Sequence, residues 1–166
     1  NDLHLIGCAY RDLKRYDEAI RSFQEARALY KSNKEVIHVA RCDQKIASCY
    51  VELSDGDAAL ESARKALDVF ETAHDHLRET FALFEYGKAQ VLLGKLEEGL
   101  DSLDTVLQTA TEEDPKDFEF IVDIESRMAS VMRTLGRDKE ADEIERRLAS
   151  VKDAMIEDTN NEEERA

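Results

Sequence analysis

The chain is short of everything that breaks helices or builds sheets. In 166 residues it holds one proline, six glycines and no tryptophan, while 37% of its residues are charged. Few breakers and many solvated side chains suit long helices and leave little material for a sandwich or barrel, so the expected fold is all-α. No apolar run of about 18 residues occurs, which removes a membrane-spanning helix by length alone. The N-terminal residues also lack the basic-then-apolar order of a secretory leader. These absences predict a cytoplasmic chain. The sequence opens at Asn1 inside a helical pattern, which predicts a piece of something longer.

Catalytic signatures are missing as well. There is no glycine-rich phosphate loop, no Gly-x-Ser-x-Gly elbow, no Cys-x2-Cys pair and no His-Glu-x2-His. Thirty-eight carboxylates spread over helical segments read as a wet face rather than an acid–base pair, so no enzyme is expected. Cys8, Cys42 and Cys49 are an odd number among apolar residues, which suits reduced, packed thiols. His38 and Cys42 stand four apart, a spacing that places two metal ligands on one helical face, but without a full ligand set they read as packed side chains. His74 and His76 flank Asp75 in a predicted loop and are likewise assigned no metal. No cofactor is expected. The net charge of −15 disfavours phosphate backbones and anionic lipid, so neither nucleic acid nor membrane is an expected partner.

What is present is a repeat. The first forty residues contain Leu3-x2-Ile6-Gly7-x2-Tyr10, then Leu13-Lys14-Arg15-Tyr16, then Ala19-x3-Phe23-x2-Ala26. Tyr50, Ala59, Ala63 and Ala66 fall 40 residues after Tyr10, Ala19, Phe23 and Ala26. Gly87, Gly99, Leu103 and Val106 follow another 40 on, and Ala129, Ala141 and Leu148 stand 42 beyond that. Leu13, Leu53, Leu93 and Leu135 each precede a polar turn. Small residues at these places let paired helices approach closely, and larger ones fill the gaps.

The pattern predicts helices at about 1–14, 17–31, 34–53, 57–73, 76–93, 97–110, 115–135 and 138–157. Asp114 before Pro115 reads as a helix start; Ser32-Asn33 and Asp75 read as caps for two others. The stretch 158–166 has nothing large and apolar to bury and is expected to be a disordered acidic tail.

This arrangement resembles the tetratricopeptide repeat family over nearly all of the chain to about residue 150, with Leu3 where the family usually has Trp. The 40- to 42-residue spacing is longer than the family's commonest form and is similar to the repeats of kinesin light chains and of bacterial regulators. Glu145 departs from the aromatic or apolar residue seen at Phe23 and Leu103. The resemblance implies an α-solenoid, a right-handed superhelix of four helix pairs (about 1–33, 34–74, 75–114 and 115–157).

It further implies a concave groove lined by the first helix of each pair, suited to a peptide or partner helix. The family's inward positions fall on 24 residues here, six cationic and four anionic, so a groove of net +2 sits in a chain whose other residues carry −17. Arg11, Arg41, Gln44, Lys45, Phe81, Phe84, Lys88, Arg127 and Arg133 are the expected binding residues, for a protein or peptide bearing acidic groups. The family's chaperone-tail clamp needs asparagines where this chain has Cys8 and Lys45, so that ligand is not expected.

Two other readings stand beside this interaction scaffold. One is the ligand-sensing array of a larger bacterial regulator, bending on a signalling peptide. The other is self-association, a homodimer through exposed solenoid ends, where Leu3, Ile6 and Tyr10 would be partly bare.

Overall fold

Apolar and small residues recur every three or four positions along the sequence, so each helix has one stripe to bury and a wet remainder. The computed structural model describes residues 2–112 and 117–163, with side chains described for 2–112 and 117–150. Among the described residues there is no strand, and eight helices follow one another: α1 (Asp2–Asp12), α2 (Tyr16–Ser32), α3 (Val36–Glu52), α4 (Gly56–Thr72), α5 (His76–Leu92), α6 (Leu96–Glu112), α7 (Phe118–Thr134) and α8 (Asp138–Glu163). All eight expected helices are present. α8 runs on through the tail expected from Asp158 as far as Glu163; residues 164–166 lie outside the described residues.

Each helix from α2 to α7 is 17 residues long. The reason lies in the turns. Lys14 N–H donates to the Arg11 carbonyl at 2.8 Å and Arg15 N–H to the Tyr10 carbonyl at 2.9 Å, the two bonds of a Schellman closure. The same pair of bonds recurs at Lys34 and Glu35, Ser54 and Asp55, His74 and Asp75, Gly94 and Lys95, and Gly136 and Arg137. The last residue of each turn is also the N-cap of the next helix: Ala19 N–H donates to the Arg15 carbonyl at 3.0 Å and Ala59 N–H to the Asp55 carbonyl at 3.0 Å. Three residues therefore stop one helix and start another.

The caps differ from those expected. Ser32 Oγ donates to the Leu29 carbonyl and Asn33 closes α2, so neither caps the start of α3, whose N-cap Glu35 makes no side-chain cap bond. Asp75 does accept from the Arg78 N–H, as do Asp55 from Ala58 and Asp117 from Phe120. The Asp114-Pro115 start lies outside the described residues.

The chain divides into two compact units, residues 1–106 and 107–166. In the first, small and large residues alternate across each helix pair. A Cβ on Gly7 would lie 2.6 Å from the Phe23 ring, and one on Gly87 would lie 3.4 Å from Leu103. Where the second helix carries the smaller Ala63, the first has Ala47 instead of glycine, and all these side chains are buried. Gly87 and Gly99 bring α5 and α6 together backbone to backbone: a Cβ on Gly99 would be 2.6 Å from Val91 and 3.1 Å from the Gly87 carbonyl oxygen. Leu5 and Ile6 on α1 and Leu13 in the turn after it stay exposed, whereas Leu3 and Tyr10 are half-buried.

One position on the first helix is keyed by charge in two of the pairs. Asp43 on α3 is buried and meets Arg27 of α2 at 2.7 Å. Burial pushes the Asp43 carboxyl above its usual range, against the pull of Arg27. In the second unit, the buried Glu125 of α7 meets Arg147 of α8 at 2.5 Å. The residue between them in the repeat, Leu83, is apolar.

The residues in the turns yield a test. Lys14, Lys34, Ser54 and His74 sit at φ of 54 to 62°, the left-handed region, where Gly94 and Gly136 stand in later turns. The Cβ costs about 1–2 kcal/mol there, and the extra chain freedom of glycine returns about 0.5–1 kcal/mol of that. Lys34→Gly and Ser54→Gly should therefore each raise the urea midpoint by the equivalent of about 0.5–1 kcal/mol with an unchanged slope. Gly99→Ala should lower it by about 1–3 kcal/mol, the usual cost of overpacking.

Candidate interaction face

Within the first unit, α3 packs against α5, and α1 meets α3 where His4 Nδ1 lies 3.7 Å from Cys42 Sγ. The first helices of three successive pairs thus stand side by side, and their unburied stripes form one face. Arg41 and Lys45 lie one turn apart on α3, both half-buried, and neither has an ion-pair or hydrogen-bond partner for its side chain. Gln44 is half-buried beside them. Arg11 on α1 is tied to its neighbour Asp12 at 2.9 Å.

The electrostatics of this corner show as pKa shifts. Lys45 is lowered, first by burial and then by repulsion from Arg11, with attraction from Glu85 of α5 pulling the other way. His4 is lowered by burial, then by the charges of Arg41 and Lys45. His4 and Lys45 therefore sit beside Arg11 and Arg41 in a corner where burial and like charge disfavour their own charged forms. His4 was absent from the expected binding set; its signal was the i, i+4 spacing to Cys8 on a helix whose inner stripe also holds Arg11.

The aromatic and remaining basic residues behave differently. Phe84 is buried and Phe81 half-buried, so they pack within the fold. Lys88 lies 4.4 Å above the Phe84 ring and 2.7 Å from Glu85, and the two charged side chains are only 8% and 7% exposed. The pair touches without the alignment of a hydrogen bond, since Glu85 Oε2 accepts none. Lys88 is thus occupied by its own helix. In the second unit Arg127 pairs with Asp123 at 3.0 Å. Arg133 turns to α8, holding Asp142 at 2.6 Å and Glu145 at 2.8 Å, and these two carboxylates raise its pKa. That contact explains the departure at Glu145: a carboxylate replaces the core residue because it is exposed and bound by an arginine on α7.

The thiols are held down by their surroundings. Burial pushes Cys42 up to about 11 and Cys49 up to about 12. His38 faces the Tyr30 ring, with centroids 4.8 Å apart, and Glu35 at 3.5 Å rather than Cys42. Among the described residues no three metal-binding side chains gather at one point, and no helix is long and apolar enough to cross a membrane.

Residues 1–33 match the family model described as tetratricopeptide repeat. Solved structures extend the likeness over the other pairs. BtubC (BKLC) from P. vanneervenii superimposes with a TM-score of 0.79 over 93% of this chain at 16% identity. Beyond residues 1–33 the chain shares the fold of these helical-repeat structures. The nearly identical TPR-like repeats of a Podospora anserina kinesin light chain give a TM-score of 0.72 at 15% identity, covering 92% of this chain and 74% of that one. MamA, residue 41 to its end, from Desulfovibrio magneticus RS-1 gives 0.67 at 14% identity, covering 92% and 75%. The chain spans 63% of the length of BtubC. No curated protein matches the sequence.

The Glu85–Lys88 pair carries a sharp stability prediction. Removing one partner of a buried pair leaves the other uncompensated, so Glu85→Gln should cost about 3–5 kcal/mol. The double change Glu85→Leu with Lys88→Met should recover most of it, read as urea midpoints of the three variants. An exposed or wet pair would instead show a Glu85→Gln cost of about 1 kcal/mol or less.

Proposed function

We propose that this protein is a protein–protein interaction scaffold, and that the α1–α3–α5 face of its first unit takes a segment bearing carboxylates. The observation that supports this reading most is the basic corner of Arg41, Lys45 and His4. In a chain of net charge −15, acids are plentiful, yet Arg41 and Lys45 have none within pairing distance. An incoming carboxylate would relieve repulsion that the folded chain otherwise bears, and a charge-assisted contact in a half-desolvated place is stronger than one at the rim. Lys88, Arg127 and Arg133 serve internal pairing on this reading, so the ligand set narrows to Arg41, Gln44 and Lys45 with His4 and Arg11.

Peptides selected on the protein from a random displayed library of about 16 residues, a length suited to an extended groove ligand, should be enriched in Asp and Glu. Their affinity, read by fluorescence anisotropy, should fall at least tenfold in Arg41→Glu/Lys45→Glu, a variant that circular dichroism shows to be fully helical. Selected peptides without acidic enrichment, or with equal affinity for the variant, would reject the face.

Protonation adds a second readout. Because His4 is held below its ordinary value in the free protein and a bound carboxylate raises it, binding takes up a proton. Affinity should therefore strengthen several-fold as pH falls below the ordinary histidine value of about 6.5, and His4→Gln should flatten that dependence.

A further inference from the structure

A second basic feature lies on the other helices of the first unit. The last turns of α2, the first turns of α3 and the far half of α4 enclose a cleft of about 500 Å³. Its floor is Val36, Val39 and Val69, and Val36 is 62% exposed. Lys31 and Lys34 stand on its wall, both exposed, and their side chains have no ion-pair or hydrogen-bond partner. Elsewhere in its lining Arg27 meets Asp43 at 2.7 Å, Lys65 is bound to Glu61 at 2.5 Å, Asp68 faces Arg64 at 3.8 Å, and Glu35 is engaged by Asn33 and His38. The cleft thus combines a valine patch, of which Val36 is exposed and Val39 and Val69 are half-buried, with two free cations, Lys31 and Lys34. Its chemistry asks for aliphatic side chains flanked by carboxylates.

The charge along the chain is strongly polar. Residues 1–45 hold nine cations against seven acids, a net of +2; residues 97–166 hold nine against 22, a net of −13. The end of α8 has the composition the slot asks for. Residues 151–163 contain Val151, Met155 and Ile156 together with Asp153, Glu157, Asp158, Glu162 and Glu163, one lysine against five acids. α8 is 26 residues long against 17 in α7, so the backbone of α8 outruns the helix it pairs with by nine residues, about 13 Å at 1.5 Å per residue.

We propose that the lysine-rimmed slot between α2 and α4 receives residues 151–163 of helix α8 from a second copy of the chain. The aliphatic side chains enter over Val36, Val39 and Val69, and the acids face Lys31 and Lys34. Two such contacts related by a two-fold axis close a dimer; the same patch and the same segment are then used on both partners. The contact stands apart from the face carrying Arg41 and Lys45 and does not depend on it.

Sedimentation velocity of the intact chain across a concentration series, in about 50 mM salt and again in about 500 mM salt to screen the charges, tests this. The expected result is a reversible dimer at low salt that weakens at high salt. Lys31→Glu/Lys34→Glu should weaken it at least tenfold, as should Glu157→Lys/Asp158→Lys, and combining the two pairs should restore it. Arg41→Glu/Lys45→Glu should leave it unchanged. A chain that stays monomeric at every concentration overturns the proposal, and so does a dimer indifferent to Lys31 and Lys34 or one that the combined charge swap fails to restore. Lys31 and Lys34 are exposed, and circular dichroism of each variant guards against a folding defect.

Discussion

The first six helices are paced by a three-residue turn whose middle residue takes a left-handed backbone. Seventeen residues of helix and three of turn make a 20-residue step, and two steps make the 40-residue repeat. Because the turn closes one helix with the residue that opens the next, neither helix can lengthen without breaking two backbone hydrogen bonds. The faces of successive helices therefore come back into register every 40 residues. That regularity places Arg11, Arg41 and Lys45 near one another although 34 residues separate the first from the last.

Much of this was legible in the sequence. Gly7, Ala19, Ala26 and their counterparts announce close helix approach by size alone, and leucines before polar turns mark the helix ends. The turn geometry itself was hidden, because Lys14, Lys34, Ser54 and His74 occupy positions that glycine would advertise. The starts were misjudged at Ser32-Asn33 for the same reason: the capping residue comes two or three positions later, fixed by the Schellman closure rather than by side-chain type. Asp117 was overlooked because Asp114-Pro115 gave the louder local signal.

The interaction face was legible in part. Inward position follows from the repeat frame, and it puts Arg41 and Lys45 on the face proposed for binding. What the frame cannot give is whom each cation meets. Lys88 occupies an inward position and is taken by Glu85 three residues earlier, and Arg133 reaches across a turn to acids on α8. His4 was passed over because a lone histidine carries no charge until its neighbours are known. An electropositive corner costs stability when it is empty; what it offers in exchange is affinity for whatever neutralises it.

The alternation of Asp43, Leu83 and Glu125 has a consequence for how such a chain finds its fold. Near-identical helix pairs invite slippage, in which α2 would stack on α5 instead of α3 and leave out a whole repeat. That mistake would set the arginine of α2 against Leu83 and strand Asp43 in apolar surroundings, two uncompensated charges at once. The ion pair works as an address label: it adds little to the depth of the correct well, but it raises the nearest wrong one.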